Sequence, residues 1–324
     1  MVTIGIKTKK GSMNSSRLSL IASVIFAFAL YGTCSAASAK QKSFASAEEA
    51  VKAGIAAAKS DDNKALLAIL GDDAKDLISS GDAVSDKANR ERFLKAYDEK
   101  HQLVKEGDNY VLTVGKEDWP YPIPVVKKGN GWVFDTAQGK EEILNRRIGE
   151  NELSTIQVLL AIVDAQREYA SKDRDGDGVL AYAQKFWSDA GKKNGLHWET
   201  KAGEDESPLG PLAAEARVEG YRAASAGAKP RPYHGYYYKI LTAQGKNAPG
   251  GAYSYLVRDK MIGGFAVIAA PAEYGNSGVM TFLVNHDGVV YEKDLGKNTL
   301  ELAKKITSFD PDKSWKKVDK VSMP

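Results

Sequence analysis

The chain has 324 residues, of which 45 are lysine or arginine, 42 are aspartate or glutamate and 43% are hydrophobic. Its nearly balanced charge, without a basic stripe, excludes the usual composition of a nucleic-acid-binding protein. The single cysteine, Cys34, excludes a fold held by disulfide bonds, so packed hydrophobic cores must stabilise the protein.

Residues 1–39 have the three parts of a secretory signal peptide. A basic start precedes thirteen mostly apolar residues, 18–30, and small residues ending in Ala39 follow. The basic residues are Lys7, Lys9, Lys10 and Arg17. We therefore expect cleavage after Ala39 and export to the periplasm or the extracellular space. The remaining chain would keep 41 basic and 42 acidic residues, because the removed part has four basic residues and no acidic one.

Two other readings of this segment stay open. A retained membrane anchor is disfavoured because the apolar run is shorter than the roughly 20 residues that span a bilayer. A lipid on Cys34 is the second reading, but Tyr31 and Thr33 suit a lipoprotein processing site poorly. We see no second apolar stretch long enough to span a membrane.

The remaining length suggests two α+β domains, at 44–149 and 150–324. In the first, residues 46–70 and 89–100 have helical spacing, and Ser46 with Glu49 forms a capping box. Short strand-like runs follow up to residue 137, broken by glycine and proline. Helices followed by a small sheet suggest a nuclear-transport-factor-like or cystatin-like fold, an analogy that assigns no function.

The segment "WPYPIP", residues 119–124, contains alternating prolines that forbid a central strand. Its aromatic side chains could form an exposed contact site. We favour the other reading, an edge segment that lies over the sheet.

The second domain begins with a predicted helix at 149–172, with Leu153, Ile156, Leu160 and Val163 on one face. Strand-like runs follow at 233–243, 263–272, 278–285 and 288–295, and residues 285–288 predict a hairpin turn. This pattern predicts a long helix packed on an antiparallel sheet. The tyrosine-rich run 233–238 predicts a central strand with both faces packed, although tyrosines also serve as contact surface.

Several long stretches carry a resemblance to a known family. They are "RRIGENEL", "DRDGDGVLAYAQKF", "SPLGPL", "YHGYYYKILTAQG", "GGFAVIAAPAEYGNSGVMTFLVNHDGVVYEKDLG" and "FDPDKSW". On these residues the chain resembles the bacterial secreted family called domain of unknown function 2950, which implies no activity.

The second half is similar, more loosely, to the globular part of type IV pilins and secretion pseudopilins. The shared features are Ala165-Gln166 with Tyr169, then Gly235-Tyr236, then Asp287-Gly288-Val289. In pilins a long apolar helix joins this part directly, whereas here a whole soluble domain precedes it. This difference argues against assembly into a filament.

The run "DRDGDG" predicts either a calcium loop or a polar turn. Asp173, Asp175 and Asp177 occupy positions 1, 3 and 5 of an EF-hand-type loop, Gly178 follows, and the carbonyl of Val179 would be a fourth ligand. The bidentate acid of position 12 is missing, since Gln184 stands there. Glu204, Asp205 or Glu206 could supply it from elsewhere. We expect weak calcium binding if an ion is held.

Little in the sequence indicates catalysis. The four histidines lack zinc-binding spacing, and the "GNSGV" run around Ser277 has no accompanying histidine motif. We therefore expect an exported, non-catalytic binding or assembly module, with calcium as a candidate stabilising ion, whose partner is an unknown envelope protein or polymer. The alternative is a secreted hydrolase with an unrecognised site, in the cup of the first domain.

Overall fold

The computed structural model describes residues 41–201, 203–221 and 230–318. The expected secretory segment, residues 1–39 with Cys34, lies outside these ranges. Within them every helix is too short or too polar to cross a lipid bilayer. The fold is α+β, as predicted, and all strand pairs of its named sheets are antiparallel.

Seven α-helices lie in the described ranges. They are α1 (Ala47–Lys59), α2 (Asn63–Leu70), α3 (Lys75–Ile78), α4 (Ala83–Glu99), α5 (Thr136–Ala170), α6 (Gly210–Val218) and α7 (Thr299–Lys305). The predicted capping box is present, because Ser46 Oγ accepts a hydrogen bond from the Glu49 nitrogen at 3.1 Å. Asp62 caps α2 in the same way, through the Ala65 nitrogen at 2.9 Å.

The first sheet has the order β1-β2-β4-β5, and β3 also pairs with β2. Its strands are β1 (His101–Glu106), β2 (Asn109–Val114), β3 (Trp119–Pro120), β4 (Val125–Lys128) and β5 (Gly131–Phe134). The expected hairpin joins β4 to β5. The proline-rich segment forms the two-residue strand β3, in line with the reading as an edge segment.

The helix α5 is 35 residues long and begins at Thr136, not at residue 149. Residues 140–148 are mostly good helix formers, which explains why the helix continues through the expected domain boundary. Gly139 lies within it because α5 passes close to the chain before β4. A Cβ atom at this position would overlap the carbonyl group of Pro122.

The second large sheet has the order β14-β13-β12-β11-β6. Its strands are β6 (Tyr236–Leu241), β11 (Ala266–Pro271), β12 (Met280–Asn285), β13 (Val290–Asp294) and β14 (Lys316–Lys317). Two small pairs accompany it: β7 (Ala243–Gln244) with β8 (Tyr253–Ser254), and β9 (Leu256–Val257) with β10 (Lys260–Met261). The predicted hairpin at 285–288 joins β12 to β13.

Helices lie on both faces of this sheet. The Tyr238 hydroxyl donates to Thr155 Oγ1 of α5 at 3.3 Å, whereas Lys239 Nζ donates to the last carbonyls of α7. Neighbouring residues of a strand point to opposite faces, so α5 and α7 cover different faces. The tyrosine strand β6 lies at the edge of the sheet, which corrects the expectation of a central strand.

Only two of the four apolar residues predicted to line one face of the long helix are buried. Ile156 and Val163 are buried, but Leu153 and Leu160 are 49% and 38% exposed. The sheet lies on the side of α5 that carries Thr155, Leu159 and Ile162, so the buried face is rotated from the predicted one.

Two separate clusters of buried apolar side chains form the cores. One uses residues 47–134 and the other residues 156–309. The described residues nevertheless belong to one compact unit. The division into domains 44–149 and 150–324 therefore stays a prediction, with α5 running through its boundary.

Candidate functional site

Three aspartates follow the C-terminal end of α5, in an exposed loop of residues 173–178 that we call the acidic loop. Asp173 holds the backbone of the loop in place. Its Oδ1 accepts a hydrogen bond from the Gly176 nitrogen and its Oδ2 accepts one from the Gly178 nitrogen, both at 2.8 Å. Gly176 and Gly178 have φ values of 74° and 81°, which glycine adopts without strain.

The acidic loop brings the three predicted carboxylates together. One oxygen atom from each of Asp173, Asp175 and Asp177 lies within 4.8 Å of the others. Such a group of carboxylate oxygens could hold a metal ion, since hard cations such as calcium prefer oxygen ligands.

A lysine from a distant part of the chain already lies among these carboxylates. Lys260 Nζ lies 2.5 Å from Asp175 Oδ2 and also forms an ion pair with Asp177. Lys260 begins β10, after a tight turn in which Arg258 and Asp259 both have positive φ. Sequence reasoning missed this lysine, because a "VRDKM" turn carries no glycine that would predict a hairpin.

The electrostatics of the loop favour ionised carboxylates. The backbone N–H group of Gly178 is the main cause that lowers the pKa of Asp173. The hydrogen bond from Lys260 is the main cause that lowers the pKa of Asp177, and the carboxylates of Asp175 and Asp177 in turn raise the pKa of Lys260. The carboxylates of Asp173 and Asp177 therefore remain charged near neutral pH.

The remaining predicted ligands do not complete the EF-hand pattern. Val179 is 39% exposed beside the loop. Gln184, at position 12, donates instead to the Asp259 carbonyl at 2.7 Å. Asp205 pairs with Lys172 at 2.8 Å, so this candidate replacement acid is already engaged. Among the described residues, only Asp173, Asp175 and Asp177 form such a group of acidic, histidine or cysteine side chains.

The segment after the acidic loop is fixed by a buried glutamine of α5. Gln166 donates to the Ala183 carbonyl at 2.8 Å and accepts from the Ala183 nitrogen at 2.9 Å. Tyr182 also forms an isolated bridge with Met261, next to Lys260. The loop thus joins the end of α5 to the β9–β10 hairpin.

The serine in the "GNSGV" run has a structural role. The Ser277 hydroxyl is buried, accepts from the Glu273 nitrogen at 2.9 Å and donates to the Glu273 carbonyl at 3.2 Å. These bonds close a turn between β11 and β12.

A second serine, Ser207, contacts a histidine. Its Oγ atom lies 2.9 Å from His197 Nδ1, but both side chains are buried.

The first half contains a cavity of about 330 Å³ between its helices, its sheet and α5, which we call the cup. Most of its wall is apolar. The wall includes Val51, Ile55, Leu66, Leu112, Phe134 and Ile143. Tyr121 also faces it, and burial raises the pKa of its hydroxyl to about 12.

The charged side chains that line the cup are all engaged within the protein. Asp86 accepts from the Ser80 hydroxyl at 2.7 Å, and Arg147 donates to the carbonyls of Asp76 and Leu77 at 2.7 Å each. The other pairs are Arg90 with Asp61, Arg146 with Glu142 and Glu150 with Arg92. The Arg146 guanidinium also lies 4.8 Å from the ring centre of the half-exposed Trp119.

Burial shifts the pKa values of two of these groups, Asp86 and Arg147. It is the main cause that raises the pKa of Asp86, although hydrogen bonds from Ser80 and the charge of Arg147 oppose it. Burial also lowers the pKa of Arg147, which nearby acids oppose. The cup therefore has a mostly apolar wall, and its charged groups are already hydrogen-bonded or paired within the protein.

Comparison with known proteins gives one match. The family described as "Protein of unknown function (DUF2950)" matches residues 41–318. No curated protein and no solved structure matches the chain. The likeness of the second half to pilins consequently stays a prediction.

Proposed function

Since the chain belongs to the DUF2950 family, whose function is unknown, we propose from its geometry that it is a non-catalytic binding module of the cell envelope. In this proposal the cup receives an apolar group of the ligand or partner.

The observation that carries this proposal is the contrast between the apolar side chains of the cup and its charged side chains, which are already engaged. The wall offers apolar side chains, and burial of apolar surface contributes roughly 25 cal/mol per Å². The charged groups that line the cup already have partners within the protein, which leaves little polar chemistry for a reaction. A volume of about 330 Å³ lies at the lower end of the range for small-molecule pockets.

The test is the binding of the neutral fluorescent probe N-phenyl-1-naphthylamine. We expect its fluorescence to rise on binding to the protein, and Ala58→Phe to weaken the binding at least tenfold because Ala58 lines the cup. Ala56→Phe is the matched control, since Ala56 is exposed on the same helix and does not line the cup. Equal binding by both variants would reject the cup as the binding site.

The alternative is a secreted hydrolase that uses the cup. The raised pKa of Asp86 supports this reading, because a carboxyl group with a raised pKa can act as a general acid. A panel of chromogenic ester, phosphoester and glycoside substrates tests it. Turnover that Asp86→Asn abolishes would favour the hydrolase over the binding module.

We further propose that the acidic loop binds an ion and that this ion is calcium. Calcium accepts carboxylate and carbonyl oxygens in flexible geometry, whereas magnesium prefers to keep its waters. The ion would take the position of the Lys260 ammonium group between Asp175 and Asp177, and the Val179 carbonyl would be a further ligand. The absent position-12 acid implies weak affinity, with a Kd on the order of 10⁻⁴ to 10⁻³ M.

The envelope location rests on the secretory pattern of residues 1–39. N-terminal sequencing of the native protein is expected to begin at Lys40, within a few residues. An intact Met1 or Met13 would contradict export, and a lipid on Cys34 would contradict cleavage before Lys40.

A further inference from the structure

A second, larger cavity of about 610 Å³ lies between the start of α4, the helices α5 and α6, and strand β6. It is distinct from the cup, with which it shares none of its lining residues. Its volume falls within the usual range for small-molecule sites. We call it the aromatic cavity.

The wall of this cavity is unusually rich in aromatic rings. Six of its lining residues are aromatic: Phe186, Trp187, Tyr221, Tyr233, Tyr237 and Tyr238. The rings of Tyr221 and Tyr233 are held edge to face, with centroids 4.8 Å apart at 84°. Trp187 is held in the same manner against His197, at 4.7 Å and 85°. Fixed aromatic faces and edges of this kind favour a planar ring between them.

A polar atom inside the wall lacks a partner. The hydroxyl group of Tyr233 is buried and makes no hydrogen bond of ordinary geometry to the described residues, although the Glu219 carboxylate acts on it. Burial, reinforced by the charge of Glu219, holds the pKa of this hydroxyl well above its ordinary value, so it remains protonated. A buried hydroxyl without a partner is costly unless a ligand or a water molecule satisfies it.

Two arginines are the cationic groups described in the wall of this cavity. Arg217 and Arg231 line it, and the structure describes no ion pair between Arg231 and another described residue. Arg217 pairs with the exposed Glu199. Among the described lining residues the one carboxylate is Asp82, which is already saturated by two backbone N–H groups of α4, the Tyr221 hydroxyl and the Gly235 nitrogen. The Glu215 and Glu219 carboxylates act on Tyr233 from nearby. Arg231 is therefore the group of this cavity that offers a cation to an anionic ligand.

We propose that the aromatic cavity binds a small aromatic carboxylate. The aromatic ring of the ligand lies between Trp187, Tyr233 and Tyr238. Its carboxylate pairs with the guanidinium group of Arg231, whose planar fork matches a carboxylate in two parallel hydrogen bonds. This site is independent of the binding proposed for the cup.

The test is isothermal titration calorimetry of the protein with 2-naphthoate, compared with the cationic analogue 2-naphthylmethylamine. We expect 2-naphthoate to bind at least tenfold more tightly than the amine. Arg231→Gln should weaken 2-naphthoate at least tenfold, whereas Lys313→Gln, which removes an equal charge from an exposed position, should leave it within about twofold.

A second pair of variants locates the ligand. Ala216 lines the cavity on α6, while Ala214 is exposed on the same helix and does not line it. Ala216→Phe should abolish the binding of 2-naphthoate and Ala214→Phe should preserve it, with unchanged melting temperatures as the folding check. If Ala216→Phe proves unstable, the arginine pair alone decides.

Three outcomes would overturn the proposal. The first is no binding of 2-naphthoate at millimolar concentration, and the second is equal affinity for acid and amine. The third is loss of binding in Ala58→Phe, but not in Ala216→Phe, which would place the ligand in the cup. Binding of N-phenyl-1-naphthylamine is scored separately, so the two proposals fail independently.

Discussion

The Oδ2 atom of Asp82 accepts a hydrogen bond from the backbone nitrogen of Gly235 at 2.9 Å, across 153 positions of the chain. The same atom accepts one from the Tyr221 hydroxyl at 2.9 Å. Its Oδ1 atom caps α4 through the nitrogens of Val84 and Ser85, each at 3.2 Å. One buried carboxylate thus connects a helix of the first half to the sheet of the second.

We expect Asp82→Ala to lower the free energy of unfolding by about 3 kcal/mol, because it removes a helix cap and leaves two further donors without an acceptor. Asp62→Ala is the matched control, since Asp62 is an exposed cap that accepts only from Ala65. Asp62→Ala should lower the free energy of unfolding by about 1 kcal/mol. Urea unfolding measures both. Equal losses would show that the bonds to Tyr221 and Gly235 add nothing.

Calcium should raise the melting temperature. At 10 mM calcium and a Kd on the order of 10⁻⁴ to 10⁻³ M, linkage predicts a rise of about 3–6 °C in protein first treated with chelator. Asp175→Ala should abolish the rise. An unchanged melting curve of the original protein would reject the ion and leave the acidic loop as a polar turn.

Replacement of Lys260 tests whether its ammonium group competes with calcium for Asp175 and Asp177. Lys260→Met removes the ammonium group that pairs with Asp175 and Asp177, so we expect calcium to bind more tightly, by roughly tenfold. Lys313→Met is the control for a lost surface charge. Calorimetric titration with calcium measures both variants, and a weaker affinity in Lys260→Met would contradict exchange between the lysine and the ion.

The buried His197 should make stability depend on pH. Burial lowers its pKa below 6.5, an effect that Arg217 reinforces and Glu199 opposes. The unfolded chain therefore takes up a proton at a higher pH than the folded chain does. The stabilising contribution is complete above pH 6.5 and is lost as the pH falls below it.

We accordingly expect the fall in melting temperature between pH 7.5 and 5.5 to be smaller in His197→Gln than in the original protein. His101→Gln is the control, because His101 is exposed on β1. Melting curves across this range give the comparison. An identical pH dependence in His197→Gln would exclude His197 as its source.

The two hydrogen bonds between Gln166 and Ala183 should contribute to the stability of the fold. Gln166→Leu leaves the nitrogen and carbonyl of Ala183 buried without their partners. We therefore expect the free energy of unfolding to fall by about 2–4 kcal/mol. Gln157→Leu, at an exposed position of the same helix, should change stability by less than about 0.5 kcal/mol. Similar losses for the two variants would contradict this role.

Features that depend on neighbouring residues could be predicted from the sequence. The cap Ser46, the β4–β5 and β12–β13 hairpins and the grouping of three aspartates before Gly178 each depend on contacts a few residues apart. The alternation of the long strands also predicted four of the five strands of the second sheet, but neither β14 nor the position of β6 at the edge. The exposure of Leu153 and Leu160 was not predictable, because helical spacing defines a face but not which neighbour covers it.

The sequence by itself determined the α+β class, the family and the position of the acidic loop. Only the tertiary structure brought Lys260 to that loop across 85 positions and joined Asp82 to Gly235 across 153. It also assembled the cup and the aromatic cavity from elements far apart in the chain. The physical reason is that such contacts depend on how whole elements pack, which no local pattern of residues encodes.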